Sequence, residues 1–430
     1  MEDSSNDRKG IPRPALLLLL FLTFLNMLNF ADRALLGSLA KQVHEDLEIS
    51  YEMIGLLTGF GFVLFYTLVG VLLGTLADRW HRPRLMAAGL ALWSVLTAAT
   101  GIARSLFQVA CCRAFVGVGE ATLTPSALSM LGDVFKPKHR AFAAGFYYAG
   151  IPLGVGIGMI ASSYILPAYG WRGCFLILGL AGTVFVLPLL LLKDPKRGAM
   201  EEVRPQQESQ GEPKPSFAVL VGKLFSTMKR SPALTLTILA SSMQSYAMAS
   251  GVFVLAWLQV ERGFTFERAA GLAGWIFLIA GTLSAILGGV VGDWFNKRWN
   301  GGRLWLLVIA NFFFTPIGVA FLLVDPNTWY FYVIWFISSM SSMFAFGGVF
   351  STVQDLAPVK IRATAVAFLI FAQNFLGSGP GPWVTGRLVD NWTFTGALLT
   401  AAAVGFLSTP LYVVAALRFK KDRERVIAQQ

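Results

Sequence analysis

Apolar residues in this chain run together for twenty or more positions at a time, and polar residues are pushed into the gaps between runs. Twelve runs can be marked, at 14–38, 52–76, 84–104, 106–131, 140–164, 172–192, 232–258, 268–291, 303–324, 329–354, 361–386 and 393–417. About 20 apolar residues in a helix, each rising ~1.5 Å, cross a hydrocarbon core of ~30 Å. Only helices and closed barrels satisfy every backbone N–H and C=O group in lipid. Barrel strands would need segments of about ten alternating residues, and these runs do not alternate. The pattern predicts twelve spanning helices, spans 1 to 12. Gly150, Pro152, Gly154, Gly156 and Gly158 in span 5 suit the close helix approach that membranes favour. The first run, from Ala15, is too long for a cleaved signal peptide and reads as span 1.

Between spans 6 and 7 lies a stretch of different character. Residues 193–231 are rich in Pro, Gln, Glu and Lys and read as a solvated linker. The expected organisation is a polar amino terminus at 1–13, a six-helix bundle at 14–192, the linker, a second bundle at 232–417 and a tail at 418–430. Such a split invites a search for repeats. Gly74-x-x-x-Asp78-Arg79-x-x-Arg82-x-Arg84 follows span 2, and Gly289-x-x-x-Asp293, trailed by Lys297 and Arg298, follows span 8. Asp133 with Arg140-Ala after span 4 matches Asp355 with Arg362-Ala after span 10. The two pairs sit 215 and 222 residues apart, as one duplication with a small length change requires. The fold expected is an all-α membrane protein, twelve transmembrane helices in two pseudo-symmetric six-helix bundles.

Composition sharpens this picture. The 430 residues are 55% hydrophobic and 14% charged, against about 25% charge in soluble chains. A soluble enzyme, a disordered chain and a disulfide scaffold are excluded. The net charge of +11 would suggest nucleic acid on a soluble protein. Here 27 of the 35 Lys and Arg fall at the termini and in the loops on one side. The other side holds Lys41, Arg104, Arg172, Arg262, Arg268 and Arg387. The positive-inside rule then places both termini and the linker in the cytoplasm, and nucleic acid is not a partner. Cys111, Cys112 and Cys174 form no spaced pair and read as small buried hydrophobes.

Four ionisable groups inside spans, away from the span ends, matter most: Asp32, Arg33, Arg113 and Glu120. Each costs ~2.5–3.5 kcal/mol at the centre of a spanning helix, so a function and a partner are expected. Helical rise puts Asp32 about 9 Å below the outer end of span 1 and Arg113 about 10 Å into span 4, at one depth. Glu120 is a further ~10 Å down the face that carries Arg113, Gly117 and Thr124. Arg113 can reach over Gly117 toward either acid. Burial raises a carboxylate's pKa and a nearby cation lowers it. Two acids sharing one mobile Arg can therefore couple protonation to a change of state, or form a static buried ion pair. Arg33 can point to the outer rim or serve as another partner.

Gly74 to Arg84 resembles the loop signature of the major facilitator superfamily, and Arg113-x-x-x-Gly117 resembles its fourth-helix signature. The resemblance implies the major facilitator fold and transport by alternating access. It implies a cytoplasmic gate of Gly74, Asp78, Arg79 and Arg82, with Asp133, Arg140, Asp293, Asp355 and Arg362 at the repeated positions. Asn29-Phe30-Ala31-Asp32-Arg33, taken with Arg113-Ala-Phe-Val-Gly117-Val-Gly119-Glu120, is similar to the spinster branch, which holds sphingolipid and lysophospholipid transporters. That resemblance implies Asp32 and Glu120 as proton sites and Arg113 as their partner. The Gly150-Ile-Pro152 stretch only approximates the Gly-Pro pair of drug/proton antiporters.

The function expected is secondary active transport, driven by a proton gradient without a bound cofactor or metal. The substrate expected is an amphipathic lipid, a lysophospholipid or sphingoid phosphate, with Arg113 or Arg33 meeting its anion. Asn29, Thr124, Tyr148, Gln244, Tyr246 and Asn374 are the polar lining expected of a central cavity. Met340 and Phe344 would supply an apolar wall. The chain is read as a monomer in a plasma or bacterial inner membrane. A small organic anion or drug is the alternative cargo. A membrane lipid hydrolase using Asp32 and Glu120 lacks a nucleophile or metal, and His44, His81 and His139 all lie in loops.

Overall fold

A computed structural model of the protein describes residues 11–77, 79–200, 217–344 and 346–427. The described residues form helices and turns only. Spans 1 and 3 are the helices Arg13–Ser38 and Arg82–Thr100. Span 2 is Tyr51–Thr58 with Phe60–Ala77, and span 4 is Leu106–Glu120 with Leu123–Val134. Spans 5 and 6 run through Pro137–Tyr148, Gly150–Thr183 and Val186–Leu191. In the second half, span 7 is Pro232–Ser250 with Val254–Val260, span 8 Phe266–Arg298 and span 9 Gly302–Leu323. Span 10 covers Trp329–Ser339, Ser341–Phe344 and Phe346–Leu356. Span 11 is Arg362–Ala372, a π-helical turn at Gln373–Ser378 and Pro380–Asn391. Span 12 is Phe394–Phe406 with Ser408–Ile427.

Local chemistry fixes where these helices begin. Spans 1, 3, 5 and 7 start with Pro in the first turn, where the missing N–H costs nothing. Spans 2, 4, 8 and 12 start instead on Ser50, Ser105, Thr265 and Thr393, whose side chains each accept a first-turn N–H. Such a cap is worth about 1 kcal/mol. Odd spans begin on the face that carries both termini, the termini face. Even spans begin on the opposite, far face. Between spans 5 and 6 the chain reverses at Gly170, which adopts φ 68°. That left-handed backbone is one glycine takes without penalty.

Among the described residues, nine helical stretches are apolar and long enough to cross a membrane by themselves. One of them, Pro137–Leu191, contains both span 5 and span 6. Spans 3 and 11 bring the passes to twelve, and the protein is an integral multi-pass membrane protein. Two features depart from the expected organisation. The linker contains an amphipathic helix, Phe217–Arg230, which buries Leu224 and packs Leu220 and Met228 on the second half. Span 12 does not end at 417 but continues helically to Ile427, burying Phe419 and Val426.

Three apolar cores hold the molecule. One belongs to the first half alone, with Leu22, Met86, Leu90, Trp93 and Met130. A second belongs to the last half, with Leu234, Leu304, Val353 and Tyr412. The third joins the halves toward the far face, where Leu36, Val43, Ile54 and Phe175 meet Phe253, Trp257, Phe266 and Phe394.

Glycines let the helix backbones touch. Gly150, Gly154 and Gly158, four residues apart on one face of span 5, lie against Thr23, Met27 and Ala31 of span 1. Gly156 turns the other way and meets Gly274 of span 8. Span 2 meets span 11 in the same manner, with Gly55 on Pro382 and Gly59 on Gly379.

Among the described residues, every hydrogen bond between the halves lies between mid-span and the far face. Asp390 of span 11 accepts the backbone N–H groups of Tyr51 and Glu52 at 3.0 and 2.7 Å, capping span 2 from the opposite half. Gln42 donates to Gln259 at 2.6 Å, and Trp383 donates to Glu52 at 3.1 Å. The bond nearest the termini is Asn374 Nδ2 to Thr67 Oγ1, at 3.1 Å. The far face is therefore sealed, and on the termini side the two cores stand apart.

Candidate functional site

Span 1 presents Asp32 and Arg33 in succession, and span 4 presents Arg113 and Glu120 two turns apart. The four pair crosswise. Arg33 Nε donates to Glu120 Oε2 at 2.6 Å, and Arg113 Nη1 stands 3.5 Å from Asp32 Oδ1. Thr97 of span 3 donates to Asp32 Oδ2 at 2.7 Å. The expected arrangement, two acids competing for Arg113, is thus replaced by two acids on two arginines. Equal depth did bring Asp32 to Arg113. Glu120 is met instead by Arg33, whose long side chain descends from the neighbouring position on span 1.

Aromatic rings hold the arginines. The Arg33 guanidinium lies over Tyr66, Phe30 and Phe62 at 4.3, 4.8 and 4.9 Å from the ring centroids. The other face of this cage is Arg113, 5.6 Å from the Phe62 centroid. Gly117 does not serve as open ground for Arg113. A Cβ there would lie 3.0 Å from the Phe62 carbonyl, so its role is to let span 2 approach span 4.

The site is enclosed by protein. Glu120, Arg113 and Asp32 side chains are 0, 2 and 7% exposed, while Arg33 is 22% exposed. Among the described residues, Arg113 Nε, Glu120 Oε1 and Asn29 Nδ2 have no hydrogen-bond partner. A buried guanidinium with an unused donor, beside a carboxylate at 3.5 Å, is a group with bonding capacity to spare.

The expected cavity lining divides. Thr124 hydrogen-bonds the Tyr147 hydroxyl at 3.1 Å, and the Tyr148 ring lies 5.5 Å from that of Tyr147. Asn374 bridges the halves through Thr67. Gln244 accepts from Tyr412 at 3.2 Å inside the second half, which is a helix–helix contact. Tyr246 is half-buried, and its carbonyl accepts the Ser250 hydroxyl at 2.8 Å. Phe344 stacks edge-on with Phe314, and its backbone packs on Gly288. Met340 is half-buried at the break between two helices of span 10. Thr97, Phe62 and Tyr66 went unnoticed in the sequence, because a lone Thr or aromatic in a span carries no signal.

On the termini face the repeat is visible atom by atom. Arg82 is fully buried, paired with Asp133 and with Asp194 at 2.7 Å, and donates to Ser129 at 2.9 Å and the Pro195 carbonyl at 2.6 Å. In the second half Arg303 pairs with Asp293 and Asp355, both at 3.2 Å. Arg140 donates to the Phe135 carbonyl and Arg362 to the Ala357 carbonyl, each at 3.3 Å. These two were expected in the ion-pair cluster but finish the preceding helix instead. The ion pairs of Arg82 and of Arg303 each stay inside their own half. Arg79 is exposed, while Asp78 and the Gly74 side-chain position lie outside the described residues. Arg303 and Asp194 were missed, although Arg303 follows Arg82 by 221 residues, between the 215 and 222 of the two repeated pairs.

Known proteins bear on this arrangement. A model of the Major Facilitator Superfamily matches residues 22–382. A Mycolicibacterium smegmatis protein named as an MFS-type efflux pump is 28% identical, with 97% of this chain and 96% of that protein aligned. Human protein spinster homolog 1 is 25% identical over 96% of this chain and 83% of its own length. Drosophila protein spinster is 26% identical over 86% of this chain, which spans 61% of that protein. The crystal structure of a bacterial homolog to the human lysosomal transporter Spinster, inward-facing and unoccupied, shares the fold with a TM-score of 0.83. It is 23% identical, with 96% of this chain and 99% of that chain covered.

Proposed function

The chain belongs to the Major Facilitator Superfamily and is a membrane transporter, and on that premise we propose that it couples proton movement to the passage of an amphipathic anion. The crossed pairs Asp32–Arg113 and Glu120–Arg33 carry the reading. Protonating Glu120 frees Arg33, and protonating Asp32 frees Arg113. Each event turns a neutral pair into a lone cation in a medium where an unpaired charge is costly. That cation is relieved by an anionic substrate or by closure around another partner. Arg33, the most exposed of the four and caged by three rings, is the group that meets the substrate's phosphate; Arg113 is too deeply enclosed for that first contact. A lysophospholipid or sphingoid phosphate fits these terms, in line with the spinster-like motifs of spans 1 and 4.

We read the termini face as cytoplasmic by the positive-inside rule, and the hydrogen bonds that join the halves at the far face support an inward-facing arm of an alternating cycle. A second reading, efflux of a small organic anion or drug, is favoured by the full-length likeness to the efflux pump. Both readings share the ion pairs and differ in cargo.

The test is flux in proteoliposomes under an imposed pH gradient. Asp32→Asn and Glu120→Gln are each expected to abolish the pH dependence while the protein still folds. Full proton-dependent flux with both changes present would overturn proton coupling. For cargo, a thermal-shift screen should show stabilisation by lysophospholipids or sphingoid phosphates above sugars, organic acids and drugs. Stabilisation by hydrophilic solutes alone would sink the lipid assignment.

A further inference from the structure

A second site lies far from the crossed ion pairs, where the linker helix, the start of span 7 and the end of span 12 converge on the termini face. Between them is a pocket of about 440 Å³, within the ~300–1,000 Å³ range of small-ligand sites. Lys229 and Arg230 enter it from the linker helix and Arg425 from span 12, with the Thr227 side chain on the wall. All three cations are exposed. Asp422 forms the floor and is 1% exposed. Its Oδ2 accepts the Ala233 N–H at 2.9 Å and faces the Ser231 hydroxyl at 3.5 Å, so its charge is engaged by the first turn of span 7. Arg425 lies 3.8 Å from the remaining oxygen. Three cations over one committed acid leave the pocket net positive.

We propose that this pocket binds the phosphate of an anionic phospholipid headgroup from the adjoining leaflet. The surroundings favour a lipid over a free anion. The linker helix is amphipathic, with Leu220, Leu224 and Met228 packed inward. Its Phe225 and Val219 are exposed apolar groups, and the Phe225 ring lies 5.5 Å from Phe368 of span 11. With its inward face committed to the second half, Phe225 and Val219 are the apolar groups this helix leaves for the acyl boundary. Exposed Arg418, Lys420, Lys421 and Arg423 continue the basic surface along span 12, opposed there by Glu424. Attraction of such cations to an anionic surface is additive per residue. A headgroup held here would pin the linker to the second half at the point where span 7 begins.

The experiment uses the full-length protein in detergent and measures binding of dioctanoyl phosphatidylglycerol by thermophoresis. Dioctanoyl phosphatidylcholine and inorganic phosphate are titrated alongside. Saturable binding of phosphatidylglycerol alone is expected. Arg230→Gln and Arg425→Gln should each weaken it about fivefold, and the double variant by roughly the product. Lys136→Gln, an exposed cation at the start of span 5 in the other half, should leave the affinity within twofold and serves as the folding and charge control. Undiminished affinity in the double variant overturns the site. Equal binding of phosphatidylcholine overturns headgroup recognition, and equal binding of inorganic phosphate overturns the lipid as its source.

Discussion

At Glu120 and Arg33 the two members of one ion pair face unequal consequences when their partner is lost. Glu120 is wholly enclosed, whereas Arg33 keeps its ring cage and partial exposure. Removing one partner of a fully buried pair costs about 3–5 kcal/mol, and the exposure of Arg33 discounts the loss on its side. Arg33→Met should therefore lower the melting temperature in detergent more than Glu120→Gln. The double variant should melt above Arg33→Met alone, since the stranded acid is gone. Arg82 and Arg303 invite a parallel comparison. Arg82 has four partners and no exposure, and Arg303 two partners and 21%. Arg82→Ala should destabilise by about 3 kcal/mol or more and Arg303→Ala by about 1 kcal/mol or less, read from denaturation in one detergent. At this scale the sequence was partly legible. Helical rise alone placed Asp32 beside Arg113. It could not assign Glu120 to Arg33, because a side chain of several rotatable bonds decides which of two neighbouring cations arrives.

At the scale of elements, the capping of span 2 by Asp390 has a measurable effect. A helix cap contributes about 1 kcal/mol, and here the cap and the helix belong to different halves. Asp390→Asn keeps one acceptor oxygen and loses the charge, so it should shift the population toward an opened far face by up to fivefold. Leu57→Cys, buried in the core that joins the halves, reports this in a background without the native cysteines. Its labelling by an impermeant maleimide from the far side should quicken in the Asp390→Asn variant. Unchanged labelling would mean the apolar core alone holds the seal. Elements were largely readable from apolar run length, yet the linker helix was hidden. Phe217, Leu220, Val221, Leu224, Phe225 and Met228 follow helical spacing, but the polar composition of the whole loop masked a fourteen-residue pattern. The end of span 12 was hidden for a similar reason. Its cations suggest a tail, while Phe419, Asp422 and Val426 are spaced to face inward.

Over the whole molecule, one crossing between the halves, span 5 on span 8, is made backbone to backbone at glycines. A Cβ at Gly156 would lie 2.7 Å from the Gly274 carbonyl, and one at Gly274 would lie 2.6 Å from Ile160. Such a close backbone crossing suits rocking of the halves about it, as alternating access requires. Gly156→Val or Gly274→Val would wedge the halves apart there. Each substitution is expected to cut substrate flux at least tenfold in proteoliposomes. A passive proton current should appear in the same vesicles, measured with an internal pH dye in the absence of substrate. The tightness of this barrier to ions thus rests on side chains that are missing. In a transporter built on opposed seals, the hydrogen atom that stands for a side chain at Gly156 and Gly274 is what separates coupled exchange from a leak.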